Sequence, residues 1–534
     1  MHIQRHDLRI GQRNLHYRRA GRGPALVLLH QSPQSGAALQ PLIETLATRY
    51  TVFAPDTPGF GDSDPLPQPD IDTLGAALNE ALDALRIRQC GLYGVHTGAL
   101  IALAATLAAP ARIAHLVLDG YALFTAAERE ELLAHYLPAN PPHWSGQHLA
   151  WYWARMREQL IHWPWHAQRA QSRTNYALPS ARQTDQSMRE LLRVGDAYRD
   201  GYRAAFAWTG RDRIAELRVS AELLYRSDDV LAPHRQRLPA LADGVQVREL
   251  ASAADSILNA VAQSFDAALE RRPWPLHSAP SPTPAEGWSM CSVDGVQLRR
   301  HRRGTRRPGE PVWLCLHAPL RSAASVLSAL PETAAVDTID LPNHGASDSV
   351  PANAVEAVLL RYVEQELGEH PLAILAFGGT AGCAVRLARR CSSRMHKLWL
   401  VEPWQLGHGE RKAWLSGVPS MDAQAGGGHW LALWQWLREQ QLYWPWGAPE
   451  RRLDGEYAVE ILQQRLVEAM QVRPDLKQAL AAALGRPWRR ELQRLQGEIC
   501  VWRSDSVASP GADERLPTRV ELRAPLPEWR GMAW

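Results

Sequence analysis

A histidine between two glycines is the residue of this sequence best placed to do chemistry. The apolar run CGLYGV (90–95) leads into the pentapeptide G-V-H-T-G at 94–98, with His96 at its centre. An imidazole titrates near physiological pH, so it can act as a general base or as a nucleophile. His96 is therefore the first candidate for a reactive group, and the surrounding elements decide what it can reach.

Short apolar runs alternate with longer amphipathic stretches along the chain, and this alternation predicts a mainly parallel sheet covered by helices. The stretch IDTLGAALNEALDALRI is one of the predicted helices. We predict strands at ALVLLH (25–30), YTVFAP (50–55), CGLYGV (90–95), IAHLVLDG (113–120) and AELLYRSD (221–228), and again at VWLCLH (312–317), AVDTID (335–340), LAILAFG (372–378), KLWLVE (397–402) and EICVWRSD (498–505).

A proline-rich segment lies near the middle of the chain. Residues 271–290 read RRPWPLHSAPSPTPAEGWSM, and the prolines prevent a regular helix and remove strand donors. The segment is therefore predicted to be a linker between domains at 1–270 and 291–534.

The two parts repeat each other, which predicts a tandem duplication of one fold. In the best match, HLAWYWARMREQLIHWPW aligns without a gap on HWLALWQWLREQQLYWPW, with eight identical residues. The matching segments keep one order in both parts: 55–64 with 339–348, 148–165 with 429–446, and 225–233 with 502–510.

These landmarks resemble the α/β-hydrolase family over nearly the whole of each part. The family has a His-Gly loop, the motif D-x-P-G-x-G-x-S, a nucleophile elbow G-x-S-x-G, a helical lid, and a late Asp and His. This sequence has H-Q-S-P at 30–33, D-T-P-G-F-G-D-S at 56–63 and G-V-H-T-G at 94–98. The resemblance implies an α/β fold of two tandem hydrolase-like domains, each a mainly parallel sheet with flanking helices and a Trp-rich lid, at about 121–215 and 403–490.

The elbow departs from the family pattern at its apex. The flanking glycines leave room for a sharp turn, but His96 stands where the family has Ser. Histidine tolerates positive φ better than most residues, so the turn can survive the change. In the second part the pentapeptide reads G-G-T-A-G at 378–382, with the β-branched Thr380 at the apex, and we expect that elbow to have relaxed.

The rest of the family's Ser-His-Asp triad is incomplete. The resemblance implies a histidine about 25 residues beyond the late acid, and Asp255 stands near that place in the first part. No histidine follows Asp505 in the second part. A standard serine esterase is therefore the function that the sequence excludes most firmly.

A rearranged set of residues can replace the triad in the first part. The resemblance implies that Gln31 and Ser32 lie beside the elbow, where His96 and Ser32 can work as base and nucleophile. His96 can instead act alone on a substrate or on water. Gln31 and Thr97 are then candidates for substrate binding.

Three acids are candidates for orienting the His96 ring. Asp228 or Asp229 stands at the late acid position, and Asp119 follows the fourth predicted strand. The second part reads H-A-P-L at 317–320 and lacks a counterpart of Ser32 as well as of His96. We expect it to be catalytically silent.

The predicted lid adds three candidates for substrate binding, His148, Trp153 and Arg157. Arg157 can bind a carboxylate or phosphate, or it can pair with an acid of the lid. Its repetition as Arg438 in the silent part favours the structural role. Trp153 can equally serve to pack the lid on the sheet.

Each candidate also has a plain structural interpretation. His96 can be a solvated or core histidine in an inactive elbow, and Ser32 can form a turn bond alone. His30, Asp56 and Ser63 are most often structural in the family.

The composition excludes several classes of partner. The 534 residues carry 59 Lys+Arg and 56 Asp+Glu, a net charge of +3, which argues against binding to nucleic acid or anionic membrane. No long apolar stretch or signal-peptide core is present, so we expect a cytoplasmic protein. Six scattered cysteines predict buried thiols. No metal-ligand cluster or dinucleotide fingerprint appears, so we expect no cofactor.

The sequence thus favours an α/β-hydrolase-fold enzyme, active in 1–270, that hydrolyses a small ester, thioester or lactone. The second domain would complete an intramolecular pseudo-dimer, and further oligomerisation stays open. Cofactor-free lyase or isomerase chemistry and a non-catalytic protein that binds a ligand or another chain are the alternatives. Convergence of His96, Ser32 and an acid around a pocket would favour the enzyme.

Overall fold

The computed structural model of the protein divides into two compact units. One consists of residues 1–141 and 151–284, and the other of residues 142–150 and 285–534. The structure describes residues 2–329, 335–404, 406–443, 458–473, 475–484, 488–495, 497–502 and 520–523.

The first unit is built on one sheet. Its strands are β1 (Gln4–Ile10), β2 (Arg13–Ala20), β3 (Gly23–Leu29), β4 (Thr51–Pro55), β5 (Cys90–Val95), β6 (Ile113–Asp119), β7 (Ala221–Arg226), β8 (Val245–Leu250) and β9 (Leu276–His277). They lie in the order β1-β2-β4-β3-β5-β6-β7-β8, and β9 pairs with β3. From β4 to β8 all neighbours are parallel, so the carboxyl ends of these strands lie along one edge.

Helices cover both faces of this sheet because apolar residues of the strands point alternately to the two sides. In β3, Val27 and Leu29 pack in one core cluster, whereas Leu26 and Leu28 pack in the other. The helices of this part of the chain are α1 (Gln40–Leu46), α2 (Ile71–Ala84), α3 (Thr97–Ala108), α4 (Ala126–His135), α5 (Gln147–Ile161), α6 (Ala181–Val194), α7 (Tyr198–Ala207) and α8 (Ala254–Arg271). Four of them, α4 to α7, form a helical insertion between β6 and β7.

The second unit repeats the strand order of the first. Its described strands are β10 (Gly287–Val293), β11 (Val296–Arg303), β12 (Val312–Leu316), β13 (Val336–Ile339), β14 (Leu372–Phe377), β15 (Met395–Val401), β16 (Glu498–Trp502) and β17 (Val520–Arg523). They lie in the order β10-β11-β13-β12-β14-β15-β16-β17. The described helices are α9 (Val355–Glu366), α10 (Ala381–Arg390), α11 (His408–Ser416), α12 (Gly428–Leu442), α13 (Val459–Ala469), α14 (Leu476–Leu484) and α15 (Arg489–Leu492).

The predicted α/β class with mainly parallel sheets and flanking helices is confirmed, and two sheets fit two domains. All six cysteines are buried free thiols, as predicted. Among the described residues no helix is both long and apolar enough to cross a membrane. The Trp-Pro-Trp repeat at 444–446 and Asp505 lie outside the described residues.

The turn between β5 and α3 depends on its two glycines. A Cβ on Gly94 would lie 2.3 Å from the carbonyl oxygen of Gly98, and a Cβ on Gly98 would lie 2.5 Å from that of Leu29. His96 at the apex has φ +49°, a left-handed conformation that non-glycine residues adopt rarely. In the second unit Thr380 has φ −79°, so that turn is helical and unstrained.

We predict that Gly94→Ala destabilises the first unit by about 1–3 kcal/mol, because the added methyl group must push two backbone segments apart. Gly244→Ala is the matched control, since no atom lies within 4 Å of a Cβ at that position. Urea unfolding followed by circular dichroism measures both. Equal midpoints for the two variants would contradict the close approach at the turn.

Candidate active site in the first unit

A cavity of about 280 Å³ opens beside the carboxyl ends of β3 and β5 in the first unit. The turns that follow these two strands form one side, and residues of α5 and α7 form the other. Aromatic and aliphatic side chains make up most of the wall. Its polar or titratable lining residues are Gln31, Ser32, Gln34, His96, Thr97, Tyr136, Gln159, Tyr176, Tyr202 and Arg226.

His96 meets a buried carboxylate at the edge of this cavity. Its Nε2 lies 2.8 Å from Oδ2 of Asp229, in the turn after β7. Arg226 donates from Nη2 to the same oxygen at 2.8 Å, and Oδ1 accepts the backbone N–H of Leu231 at 2.9 Å. The carboxylate is thereby fixed, and it sets Nε2 of His96 as the donor and leaves Nδ1 for chemistry.

The two groups shift each other's titration. Burial alone would lower the pKa of His96, but the Asp229 carboxylate and its hydrogen bond outweigh burial, so the pKa is raised above 6.5. Burial would raise the pKa of Asp229, yet His96 and Arg226 hold it well below its usual range. Asp229 is therefore ionised, and His96 keeps its second proton to a higher pH than a free imidazole does.

A glycine after β6 makes room for the imidazole. A Cβ on Gly120 would lie 2.5 Å from Cδ2 of His96 and 3.2 Å from Oδ2 of Asp229. Gly120 also has φ +61°, a conformation that favours glycine. The ring can therefore reach Asp229 because no side chain stands at this position.

Of the acids proposed to orient His96, Asp229 is the one in contact. Among the described residues no side-chain hydrogen bond joins Asp119 or Asp228 to the ring. Asp119 accepts a hydrogen bond from the Tyr93 hydroxyl at 2.9 Å, and burial raises its pKa. Asp228 is half-buried and does not reach the imidazole, because the turn after β7 directs the side chain of Asp229 inward instead.

Ser32 lines the same cavity as His96, but in the described part of the chain their side chains form no hydrogen bond. The Ser32 carbonyl oxygen accepts a hydrogen bond from the Tyr202 hydroxyl at 3.0 Å. His30 supports the turn from behind, since its Nε2 accepts the backbone N–H of Thr57 at 2.9 Å. Gln31 and Ser32 are therefore held at the cavity by contacts on both sides.

None of the three candidates from the predicted lid lines this cavity. Trp153 is buried in the first unit, and Arg157 is half-buried there. His148 lies in the second unit, where its Nε2 is 3.1 Å from Oε1 of Gln463 and its ring packs edge-on against Trp434.

The face of α5 that does line the cavity follows the helical repeat. Met156, Gln159 and Leu160 are spaced at i, i+3 and i+4. Trp163, just beyond the end of α5, stands at i+7. Arg157 lies on another face. This spacing was present in the sequence and could have identified these residues. The lining tyrosines 136, 176 and 202 carry no comparable signal.

One cluster of described side chains has the spacing of a metal site. Ligand atoms of His16, Asp56 and Asp62 lie within 4.8 Å of one another. Asp56 already accepts the backbone N–H of Gly36 at 2.8 Å and faces Nδ1 of His16 at 2.9 Å, and Asp62 pairs with Arg193. These bonds stabilise the loop at 56–63, which is the structural role expected for Asp56.

A cavity of about 270 Å³ lined by Pro319, Gly379 and Thr380 opens beside the second apex, whereas the region that matches the cavity of the first unit is nearly filled. A cavity of about 30 Å³ remains there, lined by Pro319, Trp404, Leu437 and Gln440 among others. Trp404 stands two residues after Glu402, the residue that follows β15, whereas the first unit has the small Ala122 two residues after Gly120, the residue that follows β6. The indole therefore occupies space that is open in the first unit.

The fold and the position of this site define a class of protein: the chain has the α/β-hydrolase fold. Residues 24–217 match the family model described as the alpha/beta hydrolase fold. That match and the curated relatives below support a relationship to the α/β-hydrolase family.

The relatives cover only part of the chain. A pimeloyl-[acyl-carrier protein] methyl ester esterase from Aeromonas hydrophila is 38% identical over 99 residues, which is 18% of this chain and 38% of that protein. A soluble epoxide hydrolase from Corynebacterium sp. is 37% identical over 101 residues, 19% of this chain and 35% of that protein. The chain thus spans less than two fifths of the length of these two relatives.

Among solved structures, epoxide hydrolase A from Mycobacterium thermoresistibile matches 52% of this chain and 100% of its own. The sequence identity is 20% and the TM-score is 0.40.

We predict that His96 titrates above pH 6.5 and that Asp229→Asn lowers its midpoint, because the charge that favours the imidazolium is removed. Asp228→Asn is the control and leaves the midpoint unchanged. Histidine-selective NMR, assigned with His96→Gln, measures the three titrations. A midpoint that follows residue 228 instead of residue 229 would refute the assigned pair.

Proposed function

We propose that the first unit is a hydrolase for a small ester, thioester or lactone, with His96 as the reactive imidazole and Asp229 as the acid that orients it. The observation that carries this proposal is the 2.8 Å contact between His96 Nε2 and Asp229 Oδ2 at the wall of a 280 Å³ cavity. Esterase and epoxide hydrolase relatives of low coverage are consistent with it.

In the simplest mechanism the neutral His96 ring acts as a general base. Nδ1 takes a proton from water, the resulting hydroxide attacks the acyl carbon, and the imidazolium returns the proton to the leaving oxygen or sulfur. Asp229 stabilises the imidazolium throughout. Gln31 and Thr97 line the same cavity as His96 and are the candidates for holding the carbonyl oxygen as charge develops on it.

Ser32 gives a second version of the same chemistry. If its hydroxyl attacks the acyl carbon, His96 takes the hydroxyl proton and gives it to the leaving oxygen or sulfur as the acyl bond to that atom breaks. The acyl-serine that remains is then hydrolysed by water, with His96 again as the base. The two side chains line one cavity, but in the described part of the chain no hydrogen bond joins them.

A cofactor-free lyase or isomerase is the second candidate. The Tyr176 hydroxyl accepts the backbone N–H of Val230 at 3.3 Å, so its own proton is left to donate elsewhere. A phenol that donates beside a histidine base suits abstraction of a proton next to a carbonyl group, because the phenol stabilises the enolate.

We further propose that the chain is a tandem duplication, with domains at about 1–270 and 291–534, and that α4 to α7 serve as the lid of the first. The shared strand order supports the duplication. The unstrained backbone of Thr380 and the indole of Trp404 support a second domain without catalysis. The alternative is that the first unit is also non-catalytic and binds a ligand or another chain.

We expect His96→Ala to abolish turnover of any ester, thioester or lactone found active in a screening panel, because the base is lost. Thr380→Ala is the matched control at the second apex and should leave the rate near that of the unchanged protein. The measurement is initial rate with each purified variant. If Thr380→Ala lost activity and His96→Ala kept it, the active site would belong to the second unit and the assignment would be wrong.

The pH dependence gives a separate expectation. Only the neutral imidazole is a base, so kcat/KM should fall as the pH drops through the raised pKa of His96, on a limb above pH 6.5. Asp229→Asn should lower the rate and move this limb to lower pH. A limb that stays in place in Asp229→Asn would belong to another group.

Ser32→Ala separates the two versions of the mechanism. A loss of roughly 10²-fold or more fits Ser32 as nucleophile, whereas a small loss leaves His96 acting on water. Mass spectrometry of the protein during turnover provides the independent readout, since only the first version forms an acyl-serine.

A further inference from the structure

A buried arginine without an acidic partner lies directly behind the cavity of the first unit. Arg155 of α5 is 1% exposed. Its Nη1 donates to Oε1 of Gln159 at 3.3 Å and lies 3.6 Å from the sulfur of Met156. Within the described part of the chain, Nε and Nη2 have no hydrogen-bond partner, and no carboxylate lies within 4 Å of the guanidinium.

The groups around Arg155 do not neutralise it. The guanidinium lies 5.2–5.8 Å from the ring centres of Tyr136, Tyr198, Tyr202 and Trp165. Burial raises the pKa of each of the three tyrosines, so they are uncharged phenols. The ring faces, and the hydroxyl oxygens of Tyr198 and Tyr202, attract the cation but bring no negative charge.

The acids of the neighbouring helical segments have partners of their own. Asp196 pairs with Arg199, Glu158 with His162, and Glu131 with His166. The other arginine of the cavity, Arg226, is balanced by Asp229 and Asp119. Arg211, which stacks on Phe124 of the wall, also has no acidic partner among the described residues, but it donates to backbone carbonyl oxygens of α7 and the turn after it. Arg155 is therefore, in the described part of the chain, a cation whose charge is left to act on the cavity.

Side chains that touch Arg155 also form the cavity wall. Tyr136, Met156, Gln159 and Tyr202 all do so. Gln159 is the most direct link, because its amide oxygen accepts from Arg155 and its amide nitrogen is left with two hydrogens to donate. An anion in the cavity would thus be one side chain away from a buried positive charge, in a region of low dielectric.

We propose that the cavity selects a molecule that carries one carboxylate, bound by the amide of Gln159 under the field of Arg155. Resting on the proposed hydrolysis, this makes the substrate an ester that retains a free carboxylate at its other end. The aromatic wall favours a flat or apolar body between the two groups. Arg155 is a specificity-determining residue that acts through Gln159, and the sequence pointed instead to Arg157, two residues away on another face of α5.

The first test measures binding without catalysis. Isothermal calorimetry at a pH above the His96 titration compares phenylacetate with its neutral analogue phenylacetamide. We expect phenylacetate to bind at least about tenfold more tightly, because the amide carries no charge for the Arg155 field to attract. Arg155→Met should remove this difference by weakening phenylacetate alone.

Two further variants keep the test decisive. Arg157→Met removes a half-buried charge of the same helix that does not line the cavity, and it should preserve the tenfold difference. If Arg155→Met does not fold, Gln159→Leu removes the proposed donor and should weaken phenylacetate selectively. Equal affinity for the two probes in the unchanged protein, or a preference that survives in both Arg155→Met and Gln159→Leu, would overturn the proposal.

A second test separates this proposal from the hydrolase itself. Methyl hydrogen isophthalate and methyl 3-carbamoylbenzoate carry the same ester and differ only in carboxylate against amide. Faster hydrolysis of the first, lost in Arg155→Met, supports both proposals. Equal hydrolysis of the two overturns carboxylate selection alone, whereas the calorimetric preference without hydrolysis of either overturns the proposed function alone.

Discussion

The close approach of two backbone segments at residues 94–98 is the constraint on which the candidate site depends. Gly94 can approach the carbonyl group of Gly98, and Gly98 that of Leu29, only because neither glycine has a Cβ, and these contacts permit the sharp turn between β5 and α3. At this turn His96 adopts a left-handed backbone conformation just beyond the end of β5. Its imidazole therefore leaves the core and reaches the cavity while its Nε2 meets an acid from a strand two positions away.

Much of the fold could be predicted from the sequence because its signals are local. Apolar runs of five to seven residues mark strands buried on both faces, and β3, β5, β6 and β7 lie where such runs were expected. The glycines at 94 and 98 likewise mark the turn without reference to any distant residue. The position of His96 followed from the same local pattern.

The side chains around His96 were less predictable, because a shift of one or two positions along the chain decides which of them faces the cavity. Asp228 and Asp229 are equivalent in sequence, and only the path of the turn after β7 decides which carboxylate faces inward. Arg155 and Arg157 differ by about 200° around their helix, so the same residue type is buried at one position and half-buried at the other. The tyrosines reach the cavity from separate helices and loops, which no local pattern brings together.

The relation between His96 and Gly120 has a consequence for how such a site can change. The ring occupies the space where any side chain at 120 would stand. In the second unit the equivalent residue after β15 is Glu402, which keeps a positive φ of 44° but carries a full side chain, and the apex there is the smaller Thr380. The two positions are thus epistatic: an apex histidine and a side chain at 120 exclude each other. A route between the two kinds of turn must pass through an intermediate that holds glycine at one position and a small residue at the other.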